Sequence, residues 1–112
     1  MHRIDAIIKR PDEKYGHKTA ISPSLENLQR TVDGYIETVT LGDLVIICNE
    51  EGRLIGEEYN CQIGGIGFVG TIAVVGYEDD EFDNVPITFA KWKDIVDGIC
   101  SFDPRTGKWE NE

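Results

Sequence analysis

Residues 64–75 read GGIGFVGTIAVV, and the β-branched run that ends this stretch predicts the central strand of a sheet. Three glycines before that run have the spacing G-x-G-x-x-G: Gly65, Gly67 and Gly70. In a dinucleotide-binding loop this spacing leads into a helix, whose N-terminus receives the pyrophosphate. Here a strand follows instead, and the lysine that a Walker-type phosphate loop requires is missing. We therefore interpret residues 60–70 as an uncharged, glycine-rich loop that precedes the strand.

The rest of the chain has the periodicity of an α+β fold. Apolar residues recur at helical spacing in residues 23–33 and 88–99, and a Ser or Thr is available to cap each helix. Residues 44–48 (LVIIC) form a continuous apolar run, which is typical of a strand buried on both faces. Shorter strands are predicted at residues 3–9, 18–22, 35–41 and 53–56. We expect a mainly antiparallel sheet of five or six strands, with both helices packed on one face.

A chain of 112 residues is long enough for one domain with one modest core. We expect a single domain over residues 1–112, in which residues from about 100 onward form an irregular C-terminal tail. Its N-terminus mixes charges with short apolar pairs, so we expect no secretory signal and a cytoplasmic protein. The uncharged residues 59–77 include too many glycines and polar side chains for a membrane span. The expected core residues are Leu25, Leu28, Val32, Val45, Ile47, Ile72, Val74, Trp92 and Ile95.

The net charge of −10 is concentrated in the middle of the chain. Residues 31–83 contain twelve acidic side chains and a single basic one, Arg53, whereas residues 1–30 contain six basic and four acidic side chains. A nucleic-acid-binding protein needs positive charge to neutralise phosphates, so we expect no direct binding of DNA or RNA. The acidic charge is compatible with a basic protein partner or with mimicry of a phosphate backbone, and also with a surface that only keeps the protein soluble.

No set of residues has the spacing of a catalytic or metal site. The three cysteines, Cys48, Cys61 and Cys100, form neither a metal knuckle nor a C-x-x-C pair, which indicates reduced thiols. The acidic run at 78–83 alternates like the start of a calcium loop, but Asn84 and Ala90 stand where such a loop needs Gly and Glu. We expect no cofactor, no metal and no enzymatic activity.

The order of elements from residue 25 to about residue 75 resembles domain-of-unknown-function family 3846. The matching parts are SLENLQRTVDGYIETVTL, DLVIICNEEGRLIG, the following Asn60, and VGTIAVVG. Members of that family are small proteins of phages, mobile elements and their bacterial hosts. The resemblance implies a cytoplasmic accessory protein of a mobile element, and by analogy a counter-defence factor, but it implies no activity.

Three functions follow from these observations as hypotheses. The first is a non-enzymatic binding protein that meets a basic protein surface, such as the nucleic-acid groove of a defence nuclease. Its acidic contact residues are Glu50, Glu51, Glu57, Glu58, Glu78, Asp79, Asp80, Glu81 and Asp83. The second is a small-molecule or nucleotide-signal site in the glycine-rich loop, formed by Asn60, Gln62, Ile66 and Phe68. The third and least favoured is a small enzyme. Separately, a sheet edge or the glycine-rich loop is a candidate contact for a homo-oligomer.

Overall fold

Two apolar runs form the centre of the main sheet in the computed structural model, which describes residues 2–111. They are β4 (Leu44–Asn49) and β7 (Ile72–Glu78), which pair antiparallel with Val45 opposite Val75. On its other side, β7 pairs antiparallel with β1 (Ile4–Lys9). The central residues of β7 have no exposed surface, because both faces of this strand are covered. The two strands predicted to be most apolar are therefore the innermost ones.

The outer strands are β2 (His17–Ile21), which pairs with β1, and β3 (Ile36–Leu41), which pairs with β4. The strand order is β2-β1-β7-β4-β3, and the short β8 (Glu81–Asp83) folds back onto the end of β7. All these pairs are antiparallel. The expected α+β fold, with a mainly antiparallel sheet and two helices, is confirmed.

Helix α1 (Leu25–Val32) covers one face of the sheet. Ser24 caps its N-terminus by accepting a hydrogen bond from the amide of Asn27, and Asp33 ends the helix in a left-handed conformation with φ of 60°. The helix packs Leu28 and Val32 against the side chains of β4 and β7 that point to its face, such as Ile47 and Ala73. Leu25, which we expected in the core, is the first residue of the helix, is 58% exposed and belongs to neither apolar cluster.

Helix α2 (Phe89–Val96) lies on the opposite face, so the expectation that both helices share one face is wrong. Thr88 caps this helix by accepting from the amide of Lys91. Its buried Trp92 packs in one cluster with Ile46 and Val74, whose side chains alternate with those that contact α1. Side chains of a strand point alternately to the two faces. Two continuous apolar strands at the centre of the sheet therefore require cover on both faces.

Two small hairpins complete the cover beside α2. The first joins β5 (Tyr59–Ile63) to β6 (Ile66–Val69) through Gly64 and Gly65, whose φ angles are 57° and 81°. A two-residue turn with positive φ at both positions matches the twist of the flanking strands, and glycine adopts it without strain. Residues 60–70, expected to be a loop, are thus mostly a hairpin.

The second hairpin joins β9 (Cys100–Asp103) to β10 (Lys108–Asn111), where an irregular tail was expected. The indole of Trp109 is buried against Phe102 and donates a hydrogen bond to the carbonyl of Leu41. This contact fastens the hairpin to the end of β3. Residues 53–56, expected to be a strand, instead belong to a turn that follows β4. Within residues 2–111, neither helix is long and apolar enough to cross a membrane.

The two leucines of α1 provide a direct test of this packing. Leu28 is 1% exposed and Leu25 is 58% exposed. We expect Leu28→Ala to lower the free energy of unfolding by about 2–5 kcal/mol, because it leaves a cavity between α1 and the sheet. Leu25→Ala should change the free energy of unfolding by no more than about 0.5 kcal/mol. Urea unfolding followed by circular dichroism measures both values, and equal losses in the two variants would contradict the packing.

Candidate functional site

The acidic residues predicted to form one contact surface lie in two groups at opposite ends of the sheet. Glu50, Glu51, Glu57 and Glu58 belong to the connection between β4 and β5, whereas the others lie on the β7–β8 hairpin. Because β4 and β7 are antiparallel, the end of β4 lies beside the start of β7. The seven residues of β7 separate the two groups by roughly 20 Å at about 3.3 Å per residue. The predicted acidic contact residues therefore lie in two separate groups of the fold.

The connection at residues 50–58, which we call the acidic tip, also exposes apolar side chains. Leu54 is 88% exposed and Ile55 is 61% exposed. Both lie between the exposed carboxylates of Glu50 and Glu51 on one side and Glu58 on the other. Nearby Tyr35 is exposed as well and lines a surface depression with Ile55. Sequence reasoning missed these residues because it assigned Leu54 and Ile55 to the short strand predicted at residues 53–56.

The acidic tip is held in one conformation by buried Asn49. Its amide nitrogen donates to the carbonyl of Asp33 at the end of α1 (3.0 Å) and to the Glu57 carboxylate (3.2 Å). Its side-chain oxygen accepts from the amide of Glu51 (2.8 Å). The tip backbone also closes on itself, with the amide of Glu57 donating to the carbonyl of Gly52 (2.9 Å). Glu57 therefore helps to hold the tip, while Glu50, Glu51 and Glu58 extend into solvent.

The predicted small-molecule residues of the glycine-rich segment are mostly structural. Phe68 is buried in the core beside α2, and Ile66 is half-buried against the same cluster. Asn60 is buried, and only Gln62 is exposed. The hairpin thus points its larger apolar side chains inward, which removes the free loop that the small-molecule hypothesis assumed.

Asn60 holds a buried lysine that sequence reasoning did not single out. Lys9 is 2% exposed, and its ammonium donates to the Asn60 side-chain oxygen at 2.6 Å. The Asn60 amide nitrogen donates to the carbonyls of Lys9 (2.9 Å) and Gly70 (2.7 Å). A buried ammonium is costly unless a polar group accepts from it, so Asn60 compensates Lys9 and ties the β5–β6 hairpin to the sheet.

A cleft of about 290 Å³ lies between β3 and the β5–β6 hairpin. Glu37, Glu50 and Arg53 supply its charges, and the Arg53 guanidinium donates to the carbonyl of Gly67. The thiol of Cys48 also lines the cleft. Burial, and then the Glu37 carboxylate, raise the pKa of this thiol to about 11. Cys48 is therefore protonated at neutral pH and does not provide a thiolate nucleophile.

The other candidate groups for catalysis do not form a site either. Burial raises the pKa values of the Cys61 and Cys100 thiols as well. His17 lies on the outer strand β2, with its ring 3.5 Å from the Glu13 carboxylate. Among residues 2–111, no three His, Cys, Asp or Glu side chains are grouped so that they could hold a metal ion.

The raised thiol pKa values predict slow modification of the native protein. At pH 8 the three thiols are protonated and buried, so Ellman's reagent should react at least about tenfold more slowly with folded than with urea-unfolded protein. Absorbance at 412 nm follows the reaction. Rapid release of colour from the folded protein would show that at least one thiol is accessible and ionised.

The Lys9–Asn60 contact predicts coupling between two distant positions. Asn60→Leu removes the acceptor of the Lys9 ammonium, so it should lower the free energy of unfolding by about 1–3 kcal/mol or more. In a Lys9→Met background the same substitution should cost less, because no buried ammonium is left without an acceptor. Urea unfolding of the four proteins of this double-mutant cycle measures the difference. Equal losses in both backgrounds would refute the coupling.

Comparison with known proteins identifies the family of this chain. The sequence model of the domain of unknown function DUF3846 matches residues 3–97, which is most of the 112-residue chain. Neither the curated proteins nor the solved structures contain a match. The matched residues run from the start of β1 to the end of α2 and include both the acidic tip and the Lys9–Asn60 contact. The chain therefore belongs to the DUF3846 family.

Proposed function

We propose that this protein is a small acidic binding module that engages a basic surface of a protein partner through its acidic tip. The observation that carries the proposal is that Leu54 and Ile55 are strongly exposed in the same short connection as the exposed acidic residues Glu50, Glu51 and Glu58. Exposed apolar side chains within a polar rim are typical of protein–protein contact sites. The proposal excludes catalysis as the primary role.

The two kinds of side chain at the acidic tip have different effects on binding. Burying one Leu or Ile side chain contributes about 1.5–3 kcal/mol, and this term depends little on salt. The carboxylates attract a basic partner over a distance and raise the rate of association, and salt screens this attraction. A partner of this protein should therefore carry basic residues around an apolar depression.

The family resemblance adds a biological context to the proposal. In a phage or mobile element, such a module would act in the cytoplasm as an accessory protein, and a counter-defence role is one form of that function. A basic nucleic-acid groove of a host defence nuclease has the charge that the acidic tip requires. Direct binding of nucleic acid is disfavoured by the net charge of −10.

A small-molecule site is the second candidate, and the cleft beside β3 is the observation that favours it. Arg53 and Gly67 both line this cleft. Arg53 is the only basic residue in the sequence between residues 31 and 83. The volume of about 290 Å³ suits a small polar compound. Thermal shift measurements against a panel of nucleotides and metabolites test this candidate, and a panel without any stabilising compound removes it.

Matched pairs of substitutions test the leading proposal. Glu50→Gln with Glu51→Gln removes two charges at the acidic tip, and Asp79→Asn with Asp80→Asn removes two charges at the far end of the sheet. Asp79 and Asp80 have φ angles of 52° and 63°, which asparagine tolerates. We expect only the tip pair to weaken capture of basic proteins from bacterial lysate at about 50 mM salt, with capture lost at about 500 mM.

A third variant separates the apolar contribution from the charge. Leu54→Ser with Ile55→Ser keeps every carboxylate and should weaken capture by about tenfold or more, because two apolar side chains no longer become buried. Mass spectrometry of the captured proteins with and without the substitutions is the measurement. Capture that is absent, insensitive to salt, or equally affected by the tip and the far-end pairs would overturn the proposal.

A further inference from the structure

The outer strand β3 has few of the features that usually protect a sheet edge, and Glu37 is its only charged residue. Natural edge strands are shielded by lysine, proline, bulges or a covering element. Residues 36–41 contain no lysine or proline, and their register with β4 runs without a bulge from Ile36 opposite Asn49 to Leu41 opposite Leu44. No other strand within residues 2–111 pairs with its outer side. The opposite edge strand, β2, carries Lys18 and His17.

The hydrogen-bond pattern shows which backbone groups of β3 face outward. The carbonyl of Tyr35 accepts from the amide of Glu50, so Tyr35 points its backbone groups toward β4. Backbone groups alternate between the two edges along a strand, so those of residues 37, 39 and 41 also point toward β4. The amides and carbonyls of Ile36, Thr38 and Thr40 therefore point to the open edge.

A recess flanks this open edge on each face of the sheet. The cleft of about 290 Å³ lies on the α2 face, beside Val39 and Phe68. A groove of about 530 Å³ runs across the α1 face, from Thr38 and Thr40 of β3 over β4 to the rings of Tyr77 and Phe82 on β7 and β8. A strand added beside β3 would direct alternate side chains into the two recesses.

The two recesses differ in charge. The groove on the α1 face is lined by three acidic residues, Asp43, Glu78 and Asp83, and by no basic one, and Asp43 lies in the turn that directly follows β3. The cleft on the α2 face has Glu37 and Glu50 against Arg53, and its floor is apolar. Carboxylates beside aromatic rings favour lysine and arginine, through ion pairing and cation–π contacts. The groove therefore suits basic side chains, and the cleft suits apolar ones.

We propose that β3 accepts an antiparallel strand from a partner, in which basic and apolar residues alternate. The basic residues lie opposite Thr38 and Thr40 and exchange backbone hydrogen bonds with them, because directly opposed residues of a hydrogen-bonded pair share one face. The apolar residues enter the cleft beside Val39. The inference rests on the proposed function only in that the partner is basic. It adds the mode of binding and the pattern of the bound segment.

A second copy of this chain is disfavoured as the occupant. Two copies, each with a net charge of −10, would bring the carboxylates beside β3 together. Like charges across an interface oppose association. A basic segment instead places positive charge beside Asp43 while it completes the hydrogen bonding of the edge.

The probe that tests the proposal is a decapeptide of alternating lysine and valine. One derivative carries N-methyl groups on the lysine amides and another carries them on the valine amides, so both keep the charge and composition. We expect the lysine-methylated peptide to bind at least about tenfold more weakly than the valine-methylated one, because it lacks the donors for β3. Hydrogen exchange by NMR should show protection of the Ile36, Thr38 and Thr40 amides when the unmethylated peptide binds.

Two variants of Thr38 provide the matched control on the protein. Thr38→Pro removes an outward amide without removing a β3–β4 hydrogen bond, which an edge strand tolerates, whereas Thr38→Val keeps the amide. The proline variant should bind the valine-methylated peptide more weakly than the wild-type protein does, because one donor to the peptide is missing, whereas Thr38→Val should bind it as the wild-type protein does. The circular dichroism spectrum and melting curve of the proline variant establish that it is folded. If it unfolds, edge-amide protection in the wild-type protein remains the deciding measurement.

Other results would overturn the proposal. Equal binding of the two methylated peptides, or no protection of the edge amides by the unmethylated peptide, excludes strand addition. A concentration-dependent dimer in analytical ultracentrifugation, with the same amides protected without peptide, assigns the edge to a second copy. If the acidic-tip substitutions still abolish capture of basic proteins, the proposed function stands and only the mode of binding is wrong. If no basic protein or peptide binds, both fail.

Discussion

The burial of both faces of β4 and β7 is the constraint on which the rest of the structure depends. The central residues of these strands are fully buried and alternate between two clusters, one beneath α1 and one beneath α2. A sheet of this kind is stable only when both faces are covered. One short helix covers one face, whereas the other needs α2 and two hairpins. The helices and hairpins therefore cover the faces of the sheet, and no other strand within residues 2–111 pairs with the outer edge of β3.

The sequence was sufficient to predict the elements that depend on local patterns. Continuous apolar runs identified β4 and β7, and the caps at Ser24 and Thr88 stand where the helices begin. The same apolar runs also contained the information that was missed. A strand apolar at every position buries both faces, which already argues against two helices on one side. Leu25 was misassigned because helical spacing does not reveal where the sheet beneath a helix ends.

Contacts between residues distant in sequence could not be predicted in the same way. Lys9 and Asn60 are 51 positions apart, and neither has a local signal that distinguishes a buried polar pair from two surface residues. The two-residue turn at Gly64 and Gly65 was predictable, because flanking β-branched residues and paired glycines are typical of a hairpin. The separation of the two acidic groups also follows from antiparallel pairing of β4 and β7. Predicting this separation requires knowing that β4 pairs with β7, which the sequence pattern does not specify.

The buried asparagines explain how a small protein can present apolar side chains without collapsing them onto its own surface. Asn49 links the acidic tip to α1 and to Glu57, and Leu54 and Ile55 project from this hydrogen-bonded connection. Asn60 fixes the β5–β6 hairpin, which forms one wall of the cleft beside β3. Ordering a flexible segment on binding costs about 0.5–1.5 kcal/mol for each immobilised side chain. If the proposed function holds, a partner would meet segments whose backbone is already fixed by these two buried amides, and it would bind without part of that cost.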